Sequence, residues 1–346
     1  MNALQFDFNL GKYLFTKAAG RFVPSLHWHP HLSCLSWKSL DEPSLPNDDW
    51  VKIKVKYGGI CGSDINLLFL HDSPATSPFA SFPCTLGHEA VGEISEVGKN
   101  ASHIKCGTRV VVNPVLSCES RGIQPRCPAC LQGNENQCKH KTIGTVEPGL
   151  LIGTCHNTSG SWSPYFVAHK SQVLPLPDEV DDLNGVLVEP FSCALHAVLR
   201  HPPKIGEHVL IIGAGVIGLS VVAALKALEF ECNITVLAKH SFQGEMAKHL
   251  GADQVIYLTK NNDYVLKTAQ AVQAKLLKPL FGPKVVQGGA SVVYECVGNK
   301  RSVDDALRFT DSGKTIVLLG LASVMKKSRL DDGMVERINS QRLFCL

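Results

Sequence analysis

No basic stretch followed by an apolar one opens the chain: Met1 to Phe8 reads MNALQFDF, which excludes a secretory signal peptide as the expected start. No apolar run is long enough to span a bilayer. Val209 to Leu225 carries no charge, but three glycines interrupt it and it falls short of about 20 residues. No block of lysine and arginine resembles a nucleic-acid arm, and the formal charge of the 346 residues is only +3. Neither repeats nor low-complexity tracts occur. With 45% hydrophobic and 19% charged residues, global disorder is excluded and about two domains can each bury a core. The expected partner is therefore neither nucleic acid nor membrane, and the expected location is cytoplasmic.

Disulfides are also not indicated. The thirteen cysteines are odd in number and follow no leader, so clustered ones are expected to bind metal. Cys84, Cys232 and Cys296 lie among apolar residues and read as core thiols.

The two halves differ in rhythm. Trp50–Lys56 alternates apolar and basic residues, as a half-buried strand does, and Ala90–Val97 and Thr108–Val112 read as further strands. Pro24 to Pro46 reads as loop. Glycine and proline recur through 113–165, which suits loops wrapped on a small β-barrel. From about residue 183, strands and helices alternate. Strands are expected at His208–Ile212, Asn233–Ala238, Gln254–Leu258, Ser291–Glu295 and Thr315–Leu319. Helices are expected at Val216–Leu228, Phe242–Leu250, Asp263–Leu277 and Val303–Phe309, the last with a Ser302/Asp305 capping box. That order specifies an α/β fold with a parallel, doubly wound sheet, dividing the chain into domains at 1–180 and 181–346.

Gly213-Ala214-Gly215-Val216-Ile217-Gly218 stands between the strand Val209–Ile212 and the next helix. Gly213 permits a tight turn, Gly215 lets pyrophosphate approach the backbone, and Gly218 lets helix and strand pack closely. Val216 and Ile217 begin a helix whose free N–H groups favour phosphate. The bland alternative is an ordinary turn with fortuitous glycines. An acid that would bind the ribose 2′-hydroxyl is missing after the second strand; Lys239, His240 and Ser241 stand there instead. Lys239 and His240 could bind a 2′-phosphate, which favours NADP over NAD, or they are solvated surface residues.

Cys118-x8-Cys127-x2-Cys130-x7-Cys138 can close four thiolates around one structural zinc. Cys61, in Gly58-Gly59-Ile60-Cys61-Gly62-Ser63-Asp64, and the pair His88-Glu89 offer a thiolate, an imidazole and a carboxylate. Such a set leaves a vacant position on a catalytic zinc. Taken singly, Cys61 reads equally as a core thiol and His88 as a buried hydrogen-bonding histidine.

In this order, Gly-x-Cys-Gly-Ser-Asp, Gly-His-Glu, the four-cysteine lobe and the glycine turn make the sequence resemble the zinc-containing medium-chain dehydrogenases, in the sorbitol and threonine dehydrogenase branch. The resemblance implies a GroES-like β-barrel holding both zincs and a Rossmann domain holding the nicotinamide cofactor. It implies Cys61 and His88 as catalytic-zinc ligands, Glu89 as a neighbouring or interchangeable one, and Glu189 as the remaining protein ligand. Asp64 would orient the His88 ring, and Ser63 would take the first proton from the substrate. The implied activity is hydride transfer between an alcohol or polyol and NAD(P), with a small alcohol or carbonyl as substrate. The implied assembly is a homodimer or homotetramer in the full-length form.

Three positions depart from the family. Asn66 replaces a histidine that passes the proton outward, so water would serve there. The Cys118–Cys127 spacer is longer than usual and is expected to loop outside the clip. The chain stops at Arg342–Leu346, within an expected sixth strand, where relatives continue. The alternative function is a catalytically silent NADPH- and zinc-binding structural or regulatory relative.

Overall fold

Alternation along Trp50–Gly58 buries Val51 and Ile53 on one side of a sheet and turns lysines outward, and Trp50 is buried at its start. In the computed structural model, which describes residues 1–71, 74–259, 263–282, 284–320 and 343–345, this strand lies within an antiparallel five-stranded sheet. Its order is Tyr165–His169, Trp50–Gly58, Ala90–Val97, Arg109–Val112, Val173–Pro175. Trp50, Ile53, Ile94, Leu116 and Phe166 fill the core beneath it. Each such side chain contributes about 1.5–3 kcal/mol on burial. Asn2–Phe6, Leu35–Ser39 and Cys84–Thr85 form a second, three-stranded sheet.

Register places the site. Gly58 pairs with Ala90 at the end of the antiparallel ladder. The residues that leave one strand, 59–61, and those that enter the other, 88–89, therefore emerge at the same edge.

The chain forms two compact units, Met1–Glu189 and Pro190–Leu346. The second is built on a six-stranded parallel sheet in the order Gln254–Tyr257, Asn233–Ala238, His208–Ile212, Ala290–Glu295, Thr310–Leu318, Leu343–Cys345. The first strand in sequence is thus central, and the direction of strand addition reverses beside it, as in a doubly wound dinucleotide fold. His208–Ile212 reads as a continuous apolar run because both its faces are covered. Val209 and Ile211 enter one core cluster, Leu210 and Ile212 another.

Three local expectations are corrected, and one further helix had no counterpart among them. Pro24–Pro46 is not all loop: Pro24–Trp28 forms a 3-10 turn and Leu35–Ser39 a strand. A helix at Leu10–Ala19, capped by the Asn9 side chain, carries no apolar stripe toward a core. Asp263–Leu277 is not one helix; it ends at Ala271, and Lys275–Leu277 turns into a hairpin with Val285–Gln287. The last helix starts at Lys300 rather than Val303, because Asn299 caps it, accepting from Ser302 N at 3.0 Å while Ser302 Oγ accepts from Asn299 N.

Candidate metal centres and dinucleotide turn

Among the described residues two groups of metal-ligating side chains converge, each with donor atoms within 4.8 Å of one another: Cys118, Cys127, Cys130 and Cys138, and Cys61, His88 and Glu89.

The first group is buried throughout. Cys118 Sγ lies 3.6 Å from Cys138 Sγ; thiolates about 2.3 Å from a tetrahedral zinc would sit about 3.8 Å apart, so the spacing fits that ion. Backbone N–H groups of Cys127, Lys139 and His140 point at the sulfurs of Cys118, Cys127 and Cys138 at 3.4, 3.5 and 3.4 Å. The N–H groups of Lys139 and Cys130 hold the Cys127 thiol down at about 6, well below an ordinary thiol. The spacer does not simply loop outside the clip. Its Arg121 is fully buried and donates to the carbonyls of Ile143, Val146, Glu147 and Gly149 at 2.7 to 3.2 Å. It ties the 143–149 segment to the cysteine lobe. Burial pulls Arg121 down from its ordinary value, and Cys155, Cys138 and Cys118 act the other way. Nothing in the sequence distinguishes this arginine from Arg126, which pairs with Glu119 at 2.9 Å near the surface.

The second group gathers three elements. Cys61 caps the helix Gly62–Leu68, and its backbone N–H donates to Asp64 Oδ2 at 3.0 Å. Asp64 Oδ1 faces His88 Nδ1 at 3.7 Å, both side chains being buried. With Nδ1 turned to the carboxylate, Nε2 is the nitrogen available to a metal. Burial pulls His88 down, but the Cys61 hydrogen bond and the charges of Asp64, Cys61 and Glu189 outweigh it and push the ring up to about 9. Glu89 and Asp64 are both raised, first by burial; Glu189 adds to the shift of Glu89. A thiol, an imidazole and crowded, buried carboxylates are a donor set that suits a divalent cation.

Glu189, which the resemblance implies as a further ligand, stands in the first turn of the helix Val188–Arg200, outside the 4.8 Å group. Its charge nevertheless acts on both His88 and Glu89. Ser63 sits half-buried two residues after Cys61 on the same helix.

Two residues that sequence patterns did not flag shape this site. A Cβ on Gly59 would fall 2.0 Å from Glu89 Oε2, so only glycine leaves room for that carboxylate. Trp162 Nε1 donates to Gly59 O at 3.0 Å and fixes the strand exit. The Gly58-Gly59 pair was the available signal.

In the second unit, Gly213 has φ +100°, and its N–H donates to Leu237 O at 3.0 Å, tying the turn to the strand that ends at Ala238. Lys239 and His240 follow immediately and are exposed. A Cβ on Gly218 would lie 1.9 Å from Gly213 O, whereas one on Gly215 would meet open space. Gly215 precedes the helix Val216–Ala227 and, with Ala214, Val216 and Leu219, lines a cavity of about 680 Å³ that also touches Phe242 and Met246. The glycine turn thus has the shape a dinucleotide requires. Glu295, also unflagged, is wholly buried; its carboxylate accepts from Val297 N at 2.8 Å and Gly298 N at 2.9 Å. Val297 in turn closes on Gly213, where a Cβ would meet Val297 Cγ2 at 2.4 Å. An acid ending an apolar strand was its only trace in the sequence. Cys296 is half-buried beside that strand end, where burial holds its thiol well above the usual range.

Comparison with known proteins agrees with this geometry. Residues 47–178 match the family described as "Alcohol dehydrogenase GroES-like domain", and residues 216–344 match "Zinc-binding dehydrogenase". L-galactonate-5-dehydrogenase of Escherichia coli is 32% identical over 287 residues, covering 83% of this chain and 73% of the relative. Sorbitol dehydrogenase of Arabidopsis thaliana is 28% identical over 279 residues, covering 81% and 69%. The crystal structure of a zinc-binding dehydrogenase from Sinorhizobium meliloti bound to NADP superimposes with a TM-score of 0.70 at 27% identity, covering 90% of this chain and 80% of that one.

Proposed function

The chain belongs to the zinc-type medium-chain alcohol dehydrogenase family, in its sorbitol dehydrogenase-like branch, and from that premise we propose how its residues divide the work. The activity is a zinc-dependent transfer of hydride between the CH–OH group of a small alcohol or polyol and NAD(P). In this reading residues 1–180 hold both metals and residues 181–346 the cofactor.

Cys61 and His88, with Glu89 and Glu189 as the available carboxylates, are the residues we assign to the catalytic zinc. Cys118, Cys127, Cys130 and Cys138 are assigned to the structural one. When bound, zinc supplies a Lewis acid that lowers the pKa of a hydroxyl, and the nicotinamide supplies the hydride acceptor. Asp64 keeps the His88 ring turned so that Nε2 faces the metal position. Ser63 accepts the substrate hydroxyl proton, and with Asn66 beyond it the proton passes to water. Gly213, Gly215 and Gly218 shape the turn, and the N–H groups of Val216 and Ile217 hold the pyrophosphate.

Lys239 and His240 favour NADP over NAD, since both are exposed at the strand end where an acid would repel a 2′-phosphate. A homodimer or homotetramer of the full-length form, in the cytoplasm, is the proposed setting.

The observation that carries the assignment is the convergence of three chemically different ligands, Cys61, His88 and Glu89, within 4.8 Å. Steady-state rates over a panel of polyols, sugar acids and secondary alcohols with each cofactor test it. Zinc-dependent oxidation of a polyol with a higher kcat/KM for NADP is expected. Cofactor binding without turnover of any alcohol would favour the silent relative, and equal kcat/KM for the two cofactors would remove the role given to Lys239 and His240.

A further inference from the structure

The strands Asn2–Phe6 and Leu35–Ser39 pair antiparallel with Phe6 opposite Leu35, yet residues 7–34 run between them, where about 2–5 residues commonly suffice. Within this connection the helix Leu10–Ala19 is inside out. Its buried residue is Thr16, whose hydroxyl donates to Leu32 O at 2.9 Å. Gly20, at its end, lies so close to His27 that a Cβ would fall 2.4 Å from the ring Nε2. Apolar side chains turn the other way: Leu10 is 62% exposed, Leu14 57%, Phe15 47% and, just beyond the helix, Phe22 86%. Scattered exposed apolar residues are ordinary, but a contiguous set on one face marks an interaction surface.

Charge indicates what that surface meets. From Phe8 to Leu40 the chain has no aspartate or glutamate, but it has Lys12, Lys17, Arg21 and Lys38. Lys38 pairs with Asp7 at 3.2 Å. Lys17 Nζ instead donates to the Tyr13 hydroxyl at 2.7 Å, and Arg21 is exposed. A second copy of the chain would set like charges against each other across a two-fold contact.

We propose that the exposed face of the helix Leu10–Ala19, continued by Arg21 and Phe22, docks on an anionic lipid surface. Leu14, Phe15 and Phe22 enter the headgroup boundary, and Lys17 and Arg21 meet the lipid phosphates. Such a contact needs no spanning helix, and among the described residues none is long and apolar enough to cross a membrane. In sequence the face precedes residues 47–178, the first segment matched to the dehydrogenase family.

Flotation of the chain with vesicles tests the proposal, using phosphatidylcholine alone or mixed with phosphatidylglycerol. Co-flotation with the anionic mixture, little with the neutral one, and loss as salt rises are expected. Each cation is worth about fivefold in partitioning, so the double variant Lys17→Gln, Arg21→Gln should bind about 25-fold more weakly. Phe22→Ser should bind at least about tenfold more weakly. All of these residues lie outside the zinc and cofactor sites, so kcat and zinc content serve as controls for folding. Four outcomes would overturn the proposal: folded chain that ignores anionic vesicles, undiminished flotation of both variants, self-association lost in Phe22→Ser without vesicle binding, or binding to polyglutamate but not to vesicles. The last two would give the face to a second copy or to an acidic protein.

Discussion

The two cysteine-bearing clusters of the first unit use the same kinds of atom to opposite ends. In one, four buried thiols come from a short, glycine- and proline-rich stretch, and the local backbone donates hydrogen bonds to their sulfurs. Four thiolates would fill the tetrahedron of a zinc ion, so that ion's binding energy would be folding energy. In the other, a half-buried thiol, an imidazole and carboxylates leave a sheet edge from separate segments, and an outer carboxylate, Asp64, aims the ring. Mixed donors of this kind suit a cation without closing it off. In the proposed assignment the closed site stabilises a lobe and the open one performs chemistry.

The sharpest way to break this comparison is to remove one sulfur from each cluster. Cys61→Ala should lower kcat at least about a thousandfold, about 4 kcal/mol of lost electrostatic stabilisation, while the lobe keeps its zinc. Steady-state rates beside a metal count check it. Cys130→Ser should do the reverse in kind. One zinc is lost, the stability of the first unit falls by at least about 3 kcal/mol, and protease attacks residues 113–155; limited proteolysis and thermal unfolding read this out.

Smaller changes sharpen the contrast. Asp64→Asn should weaken zinc at the mixed cluster about 10–100-fold, as loss of an orienting carboxylate does, and leave the four-cysteine site unchanged; a competition titration with a chelator separates the two. The least effect is expected from Asp182→Asn. Arg109 Nε and Nη2 reach Asp182 Oδ1 at 2.9 and 2.8 Å, and Arg109 Nη2 also reaches Val180 O at 2.6 Å, holding the segment that leads to Glu189. The Arg109 hydrogen bond keeps the Asp182 carboxyl below its usual value. Its contribution is therefore complete above about pH 4 and lost as pH falls through the lower folded value. The variant should show a flatter acid limb in unfolding measured from neutral pH downward.

Much of this was legible in the residues because the chemistry is carried by types that have few other reasons to cluster. Four cysteines in one stretch, Gly-His-Glu, and a glycine turn between an apolar strand and a helix announce metals and a dinucleotide. The parallel sheet followed from the alternation of strand and helix, and its family from the order of the motifs. Other features depend on contacts that no periodicity encodes. Leu10–Ala19 escaped notice because it buries Thr16 and exposes its leucines, the inverse of the usual amphipathic signal. Lys275–Leu277 reads as the end of a helix, yet it pairs with Val285–Gln287. Gly59 is needed only because the Glu89 carboxylate folds against it. Arg121 is surface-like by type and wholly buried in fact, since carbonyls from Ile143 to Gly149 receive its donors.

Anomalous diffraction at the zinc edge, on crystals of protein with measured alcohol dehydrogenase activity, tests the open site most directly. Two peaks per chain are expected, one among Cys118, Cys127, Cys130 and Cys138, the other bound by Cys61, His88 and a glutamate. A single peak at the four cysteines in fully active protein would contradict the assignment of Cys61 and His88 to the reaction.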